Sequence, residues 1–325
     1  MPEISEVHLM VDAIRDIITN KQLIQIEVLG GRYWDAKTHQ PRLNNLSEIS
    51  SRFPLLVQSI NVKGKFCWIH LDQGWYIAIT FGMTGAIYYE PTDEVLRDYS
   101  MTTGKPVSRE EYMKHFHLKF VTNDGQCFYF GDSRHFGTIT ISQDQSALRK
   151  KLNKLGPDML DNPPIADEQF LQIFRSPKFS HNNICQVLMG QEAISGVGNY
   201  IKAEVLYACQ INPWALISDL DDRTLISLYH AIREIAHMAY QGRGASLYSY
   251  TGTRREKGTF QNMLKVYGKS EDPQGHPVRL ILESQSPDKR TTHYVPIIQT
   301  LGQSRDPDWI ASQPHPKIVI RLKPK

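Results

Sequence analysis

The 325-residue chain contains no apolar run of the roughly 18 residues that a membrane-spanning helix requires. Its N-terminus also lacks the charged, apolar and small-residue regions of a secretory signal peptide. Neither sign of charge dominates, because 37 Lys and Arg stand against 34 Asp and Glu, for a net charge of +3. We therefore expect a soluble, intracellular protein whose charge permits a polyanionic partner without requiring one.

Cysteine is scarce, and no two cysteines form a CxxC pair. The four that occur stand in apolar surroundings, at Cys67, Cys127, Cys185 and Cys209. We expect reduced, buried thiols and neither disulfides nor zinc ligands. Internal repeats are absent as well, which excludes solenoid and propeller architectures.

Hydrophobic periodicity predicts an α+β protein of several domains. Apolar residues at 7, 10, 11, 14, 17 and 18 indicate an N-terminal amphipathic helix. Short β-branched and aromatic runs, with Asp124-Gly125 as a hairpin turn, indicate an antiparallel β-sandwich over about residues 20–143. After the proline-rich stretch "LGPDMLDNPP" the pattern is helical from Asp167 to Gly242, and strand-like runs resume after Phe260.

Pro2 and Glu3 stand directly before the first helix. Proline and acidic residues fit the first turn of any helix, and Ser5 is an ordinary candidate for its N-cap. Alternatively, removal of Met1 would leave Pro2 as a secondary amine that the helix aims at a reaction partner. These residues alone leave both interpretations open.

The segment "QEAISGVGNYIKAEVLYACQINP" is the second candidate for chemistry. Gly196 and Gly198 allow a tight turn where a helix begins, so that free amides and the positive end of the helix dipole face outward at Asn199 and Tyr200. Such a corner can hold a phosphate. A plain loop with an ordinary helix cap is the alternative.

Taken together, "MPEISE", "VKGKFCWIHL", "FGMTG", "GDSRHFGT" and the glycine-rich helix start occur in an order that resembles the formamidopyrimidine-DNA glycosylase and endonuclease VIII family. The resemblance covers about residues 1–300. It implies a catalytic domain of helix and β-sandwich at 1–150, a linker at 151–164 and a helix–two-turn–helix DNA-binding domain at 165–257. A zincless-finger β-hairpin would follow at 258–300, with a tail of unknown role at 301–325.

The resemblance also implies the catalytic residues. Pro2 would attack the sugar of the damaged nucleotide and form a Schiff base, and Glu3 would protonate the ring oxygen. Lys65 would lie near the reacting nucleotide's phosphate. Glu6 would organise the pocket or a water, although a first-turn acidic residue of purely structural role explains Glu6 equally well.

DNA contacts follow from the same motifs. A damaged base must leave the duplex before an amine can reach its sugar, and Met83, Arg134 and Phe136 would fill the space it leaves. His135 replaces an expected arginine, which predicts a weaker or pH-dependent phosphate contact. Further DNA-binding residues would be Gly198, Asn199 and, at the turn of the finger, Arg290.

The finger departs most from many family members, which hold it with four cysteines around zinc. Residues 260–300 contain no cysteine, and His276 and His293 cannot complete a tetrahedral site. We therefore expect no metal and no cofactor. The alternating apolar residues of "VRLILES" and "HYVPII" are predicted to hold the hairpin by packing.

These observations predict a DNA glycosylase and apurinic/apyrimidinic lyase of base-excision repair that cleaves the strand by β,δ-elimination. Its partner would be damaged double-stranded DNA, with single-stranded DNA left open, and the protein would be a monomer located with DNA inside the cell. Oxidised pyrimidines and ring-opened purines are favoured over 8-oxoguanine as lesions. A silent binder of damaged DNA and an unrelated α/β protein are the alternatives, and borohydride trapping on an abasic duplex separates all three.

Overall fold

The computed structural model describes residues 2–245 and 259–312. The helices are α1 Ile4–Ile18, α2 Leu46–Ser50, α3 Asp93–Thr103, α4 Arg109–Met113, α5 Gln145–Asn153, α6 Asp167–Phe174, α7 Ile184–Met189, α8 Asn199–Ala208, α9 Asp222–Gln241 and α10 Pro307–Ser312. The strands are β1 Gln22–Val28, β2 Trp34–Asp35, β3 Gln40–Pro41, β4 Leu55–Lys63, β5 Phe66–Leu71, β6 Tyr76–Thr80, β7 Gly85–Tyr89, β8 Phe116–Thr122, β9 Cys127–Asp132, β10 Thr138–Ser142, β11 Arg279–Ile281 and β12 Thr292–Tyr294.

The predicted antiparallel β-sandwich is confirmed. Its eight strands pair in the order β10-β6-β5-β4-β1-β8-β9-β7, and β1 with β4 joins the two halves through only two aligned residue pairs. The inward side chains of both halves enclose the larger core together with α1. Asp124 and Gly125, with φ +79° at the glycine, form the predicted turn between β8 and β9.

Helix α1 belongs to two cores. Val7 lies in the sandwich core, whereas Ile4 packs into the core of the helical region. Ser5 is not the N-cap, because Glu3 holds that position and the Ser5 hydroxyl donates to the Ala236 carbonyl of α9 at 3.0 Å. The first turn is therefore fixed between the two parts of the molecule.

Two helices that the sequence analysis did not predict, α3 and α4, lie between β7 and β8. Thr92 caps α3 by accepting the Val95 N–H, and Ser108 forms a capping box with Glu111 on α4. The Ser-x-x-Glu spacing of that box is a sequence signal for a helix start. Tyr112 of α4 packs in an aromatic cluster on the outside of the sandwich.

Helices α6 to α9 occupy the segment predicted to be helical. The predicted domain boundary at residue 150 falls inside α5, which Asp144 caps by accepting the N–H groups of Ser146 and Ala147. Because that helix continues to Asn153, the connecting turns begin only afterwards.

The finger hairpin is shorter than predicted, since β11 and β12 pair over three residues each. Leu280 and Leu282 are 53% and 54% exposed, whereas Ile281, Tyr294 and Val295 are buried, so only part of the predicted apolar packing forms. Val295 packs with Ala203 and Tyr207 of α8, and polar contacts with α8 add to this packing.

Gly196 lies where α1 and the loop before α8 come closest. Its φ is +102°, and a Cβ atom there would lie 2.5 Å from Ile4 Cδ1. We expect Gly196→Ala to lower the free energy of unfolding by roughly 2–4 kcal/mol, because backbone strain adds to overpacking. Gly268→Ala is the matched control, since its φ is +72° and no atom lies within 4 Å of its Cβ position. Urea unfolding measures both, and equal losses would contradict a role for the Ile4 contact.

Candidate active site

The N-terminus of α8 is bonded to Glu3. The Gly198 and Tyr200 N–H groups each donate to the Glu3 carboxylate at 2.8 Å, and the Ile201 N–H donates at 3.2 Å. The sequence analysis predicts a phosphate at this corner, and the structure corrects this: a carboxylate of the same chain already accepts from the Gly198 amide. A Cβ atom on Gly198 would lie 2.2 Å from Glu3 Cδ, so only glycine allows this approach.

Pro2 directly precedes Glu3, and Glu6 lies in the first turn of α1. Both residues are buried. The Glu6 carboxylate accepts the Glu3 and Ala245 N–H groups at 2.9 Å and lies 3.3 Å from the Tyr200 hydroxyl. Burial raises the pKa of Glu6. The side chain thus joins α1, α8 and the segment after α9, which goes beyond the role of a first-turn acidic residue.

Lys65 lies half-buried at the start of β5, and its Nζ donates to the Val197 carbonyl at 2.7 Å. Burial lowers the pKa of Lys65, the Glu3 carboxylate opposes this shift, and the positive charge of Arg290 adds to it. Burial likewise raises the pKa of Glu3, which the nearby Lys65 charge offsets only in part. The charge of each group, Glu3 and Lys65, therefore affects the pKa of the other.

Asp158, which the sequence analysis did not single out, positions the turn before Lys65. Its carboxylate accepts the Gly64 N–H at 2.6 Å and the Leu160 N–H at 2.8 Å, and lies 3.0 Å from Nε2 of His8 on α1. Burial by itself raises the pKa of Asp158, but these bonds outweigh it and lower the pKa below its usual value. Only its place in the "LGPD" turn hinted at a local hydrogen-bonding role.

Arg290 and Asn199 face the same region from the finger and from α8. Arg290 is half-exposed, and its positive charge contributes to the lowered pKa of Lys65. The Asn199 Nδ2 lies 3.4 Å from the Thr291 hydroxyl beside Arg290. The structure therefore brings Pro2, Glu3, Glu6, Lys65, Gly198, Asn199 and Arg290 together.

The remaining predicted residues form a second cluster on the sandwich, which we call the wedge loops (residues 81–85 and 133–137). Phe136 is 54% exposed, and the Arg134 guanidinium lies 5.2 Å from the centre of its ring. Core packing is thereby excluded for Phe136. Met83 is half-buried in the other loop.

Asp132, another residue that sequence reasoning missed, joins the wedge loops. Its carboxylate accepts the Arg134 N–H at 3.1 Å and the Gly137 N–H at 2.6 Å, and it also accepts the Thr84 hydroxyl. Because one buried acid bonds both loops, Met83 and Phe136 keep a fixed spacing. The motif "GDS" before the loop carried no signal for this role.

His135 has a left-handed backbone, with φ +59°, and is exposed. Its ring stacks on buried His117, with centroids 4.8 Å apart. Burial lowers the pKa of His117 to about 4, so that ring is neutral at pH 7. Arg32 donates to the His135 carbonyl at 3.3 Å.

Within residues 2–245 and 259–312, no three His, Cys, Asp or Glu side chains cluster so that they could hold a metal ion. His276 is bonded to Asp272, and His293 packs on Tyr267. No helix in the same described ranges is long and apolar enough to span a membrane. The sequence "GRGASLYSYTGTRR" near 242–255 is the loop we expect to cover the lesion, and it lies largely outside the described residues, as do residues 313–325 of the predicted tail.

Comparisons with known proteins match the chain to two family models. Residues 1–139 match the formamidopyrimidine-DNA glycosylase N-terminal domain, and residues 155–249 match the formamidopyrimidine-DNA glycosylase H2TH domain. Similar curated proteins include the formamidopyrimidine-DNA glycosylase of Mycoplasma genitalium, 26% identical over 84% of this chain and 87% of that protein. The enzyme of Ureaplasma parvum is 26% identical over 92% of this chain and all of its own length.

Solved structures show the same fold. A mutant Lactococcus lactis Fpg in complex with a Fapy-dG containing DNA aligns with TM-score 0.73 and 23% identity over 92% of this chain and 99% of its own. The MutM (Fpg) protein of Thermus thermophilus aligns with TM-score 0.72 and 24% identity over 93% of this chain and 100% of its own. Because the two family models together cover more than two thirds of the sequence and the fold agrees throughout, the chain belongs to the formamidopyrimidine-DNA glycosylase and endonuclease VIII family.

Proposed function

We propose that this protein is a bifunctional DNA glycosylase and apurinic/apyrimidinic lyase that excises oxidised bases through Pro2. One observation carries the proposal. The Glu3 carboxylate, directly beside Pro2, is held by three backbone amides of α8 in a buried position close to Lys65. A silent binder has no use for a buried acid with a raised pKa next to a chain-terminal amine.

The chemistry begins with the unprotonated Pro2 amine. Its nitrogen bonds to the anomeric carbon, the bond from that carbon to the base breaks, and the base leaves with the electron pair. The departing base takes up the proton that the Pro2 nitrogen loses. Protonated Glu3 gives its proton to the ring oxygen, so the ring opens and an iminium ion remains on Pro2. Loss of the C2′ proton then allows β-elimination of the 3′ phosphate, loss of the C4′ proton allows δ-elimination of the 5′ phosphate, and water hydrolyses the remaining iminium ion to release Pro2.

Lys65 and Arg290 supply positive charge for the phosphates that flank the opened sugar. The wedge loops would replace the extruded nucleotide, with Phe136 between base steps and Arg134 bonded to the unpaired partner base. Asn199 and His135 would contact the DNA backbone, and Met83 would fill the remaining space.

We propose that the substrate is damaged duplex DNA, acted on by a monomer located with DNA inside the cell. Oxidised pyrimidines and ring-opened purines are the favoured lesions. Lactococcus lactis Fpg, which shares this fold, has been crystallised with DNA carrying each of these two lesion types.

The first prediction concerns the free amine. An uncleaved N-terminal tag, or Pro2→Gly, should abolish or strongly reduce base excision and the borohydride adduct, because each changes or displaces the attacking nitrogen. The same tag at the C-terminus is the control and should leave both intact. Full-rate adduct formation by a protein with a demonstrably intact N-terminal tag would show that Pro2 is not the nucleophile.

The second prediction concerns pH. Because burial raises the pKa of Glu3, its protonated form should persist near neutral pH and disappear as the pH rises through that pKa. The Pro2 amine, in contrast, is active only after it has lost its proton, so its active fraction grows as the pH rises. Single-turnover base excision should therefore follow a bell-shaped pH profile. Glu3→Gln should lose far more activity on a damaged base than on a preformed abasic site.

Glu204→Gln is the matched control for that substitution. Glu204 is a buried acid on α8. Like Glu3, it accepts three backbone N–H groups, which are those of Lys265, Val266 and Tyr267. It should lose hydrogen bonds as Glu3→Gln does, yet keep the wild-type ratio of base excision to abasic-site cleavage. Equal ratios in the two variants would refute the acid role of Glu3.

The third prediction concerns the wedge. Phe136→Ala should slow base excision roughly 5- to 150-fold, because an aromatic–base stack contributes about 1–3 kcal/mol. Its melting temperature should hardly change, since the ring is 54% exposed. Leu56→Ala, 39% exposed on β4, is the control for loss of an exposed apolar side chain. Unchanged excision by Phe136→Ala would remove the ring from the mechanism.

A further inference from the structure

The turn of the finger is fixed to α8 by a buried ion pair. Lys202 Nζ lies 2.6 Å from Asp288 Oδ2, and the two side chains are 0% and 2% exposed. The same amine donates to the Thr292 hydroxyl at 2.9 Å. Lysine is almost never fully buried without such partners.

The second oxygen of Asp288 holds the backbone of Arg290. Asp288 Oδ1 accepts the Arg290 N–H at 3.2 Å and the Ser286 hydroxyl at 2.7 Å. The Thr292 hydroxyl donates to the Arg290 carbonyl at 3.2 Å. Both polar groups of the Arg290 backbone are therefore bonded to the network that Lys202 anchors.

The Arg290 side chain is left for an external partner. Within residues 2–245 and 259–312, its guanidinium makes no hydrogen bond or ion pair. The next residue, Thr291, has its hydroxyl 3.4 Å from Asn199 Nδ2 at the start of α8, and Lys65 Nζ lies 2.7 Å from the Val197 carbonyl two residues earlier, so the turn lies beside the active site. A hairpin paired over only three residues a strand, with Leu280 and Leu282 exposed, cannot by itself fix the direction of that side chain.

Buried ion pairs are weak evidence for stability, because desolvation of two charges offsets their attraction. Their better-attested use is to select one arrangement among several. We infer that the Lys202–Asp288 pair is a positioning device that sets Arg290 for a DNA phosphate, in the place where other fingers use a metal. This inference rests on the proposed function and assigns Lys202 and Asp288 no contact with substrate.

The central variant replaces both charges, as Lys202→Met with Asp288→Leu. The apolar pair leaves no unpaired buried charge, and its melting temperature reports whether the larger leucine side chain is accommodated. Affinity for duplex DNA with a stable abasic-site analogue is measured by fluorescence anisotropy over a range of salt concentrations. Arg279→Ala is the control, because Arg279 lies in the same hairpin, is 58% exposed and pairs with Asp308.

The inference requires Arg290→Ala to bind the duplex roughly 10- to 100-fold more weakly and to lose about one unit of salt slope. The apolar double variant should lose affinity and slope to a similar extent while unfolding near the wild-type temperature. The triple variant, which adds Arg290→Ala, should bind no more weakly than Arg290→Ala alone, because both changes remove the same contact. Arg279→Ala should bind like the wild type.

Three results would overturn the inference. These are wild-type binding by the double variant while Arg290→Ala is impaired, a loss of affinity in the double variant that adds fully to that of Arg290→Ala, and wild-type binding by Arg290→Ala itself. If the double variant does not fold, Lys202→Arg, which keeps the positive charge, is compared with Lys202→Met. Lys202→Arg should bind the duplex more tightly than Lys202→Met. Equal binding by these two variants also overturns the inference. The borohydride adduct is scored on the wild type in parallel, so that failure of the proposed function is recognised separately.

Discussion

The contact between the Glu3 carboxylate and the amides at the start of α8 is the interaction on which the rest of the site depends. A helix N-terminus leaves N–H groups without intrahelical partners, so an acceptor oxygen there is favoured. The chain provides this acceptor from its own third residue, 195 positions from Gly198. Because Glu3 is also the N-cap of α1, one carboxyl group fixes Pro2, α1 and the start of α8 relative to one another.

Helix α8 connects this site with the finger. Its first residues bind Glu3, whereas Lys202, Glu204 and Tyr207 further along it bond to the finger turn, to the backbone at 265–267 and to Asp272. Most of these groups are charged or polar, and each forms several hydrogen bonds. These bonds offset the free-energy cost of burying them. The finger is thus attached to α8 by hydrogen bonds and an ion pair together with apolar packing.

The wedge loops show the complementary arrangement. Asp132 bonds the backbone of these loops from beneath, and in the proposed mechanism their exposed side chains would enter the duplex. Fixing the backbone beforehand lowers the entropy that ordering the loops on DNA would cost. Base extrusion needs such a preformed wedge, since the space must be filled as soon as the nucleotide leaves the stack.

Local patterns in the sequence were sufficient for the sandwich and the helical region. Alternation and helical spacing report which side of an element is buried, and Pro2, Glu3 and the Gly196–Gly198 turn are informative because each demands a particular backbone or a particular chemistry. The apolar periodicity was misleading at Leu280 and Leu282, because it indicated side chains that pack in the hairpin whereas both are exposed. It also missed α3 and α4, whose capping residues carried the signal.

Only the tertiary structure decided which groups meet. Glu3 occupies the corner predicted for a phosphate, Asp158 bridges α1 and the Lys65 turn, and Lys202 finds Asp288 across 86 positions. Such pairings depend on how separate elements dock, and an isolated Asp or Lys in the sequence is most often a solvated surface residue. The sequence by itself determined the sandwich, the helical region and the candidate reactive groups. Docking determined their partners, because the free energy of a buried charge depends on neighbours that are distant along the chain.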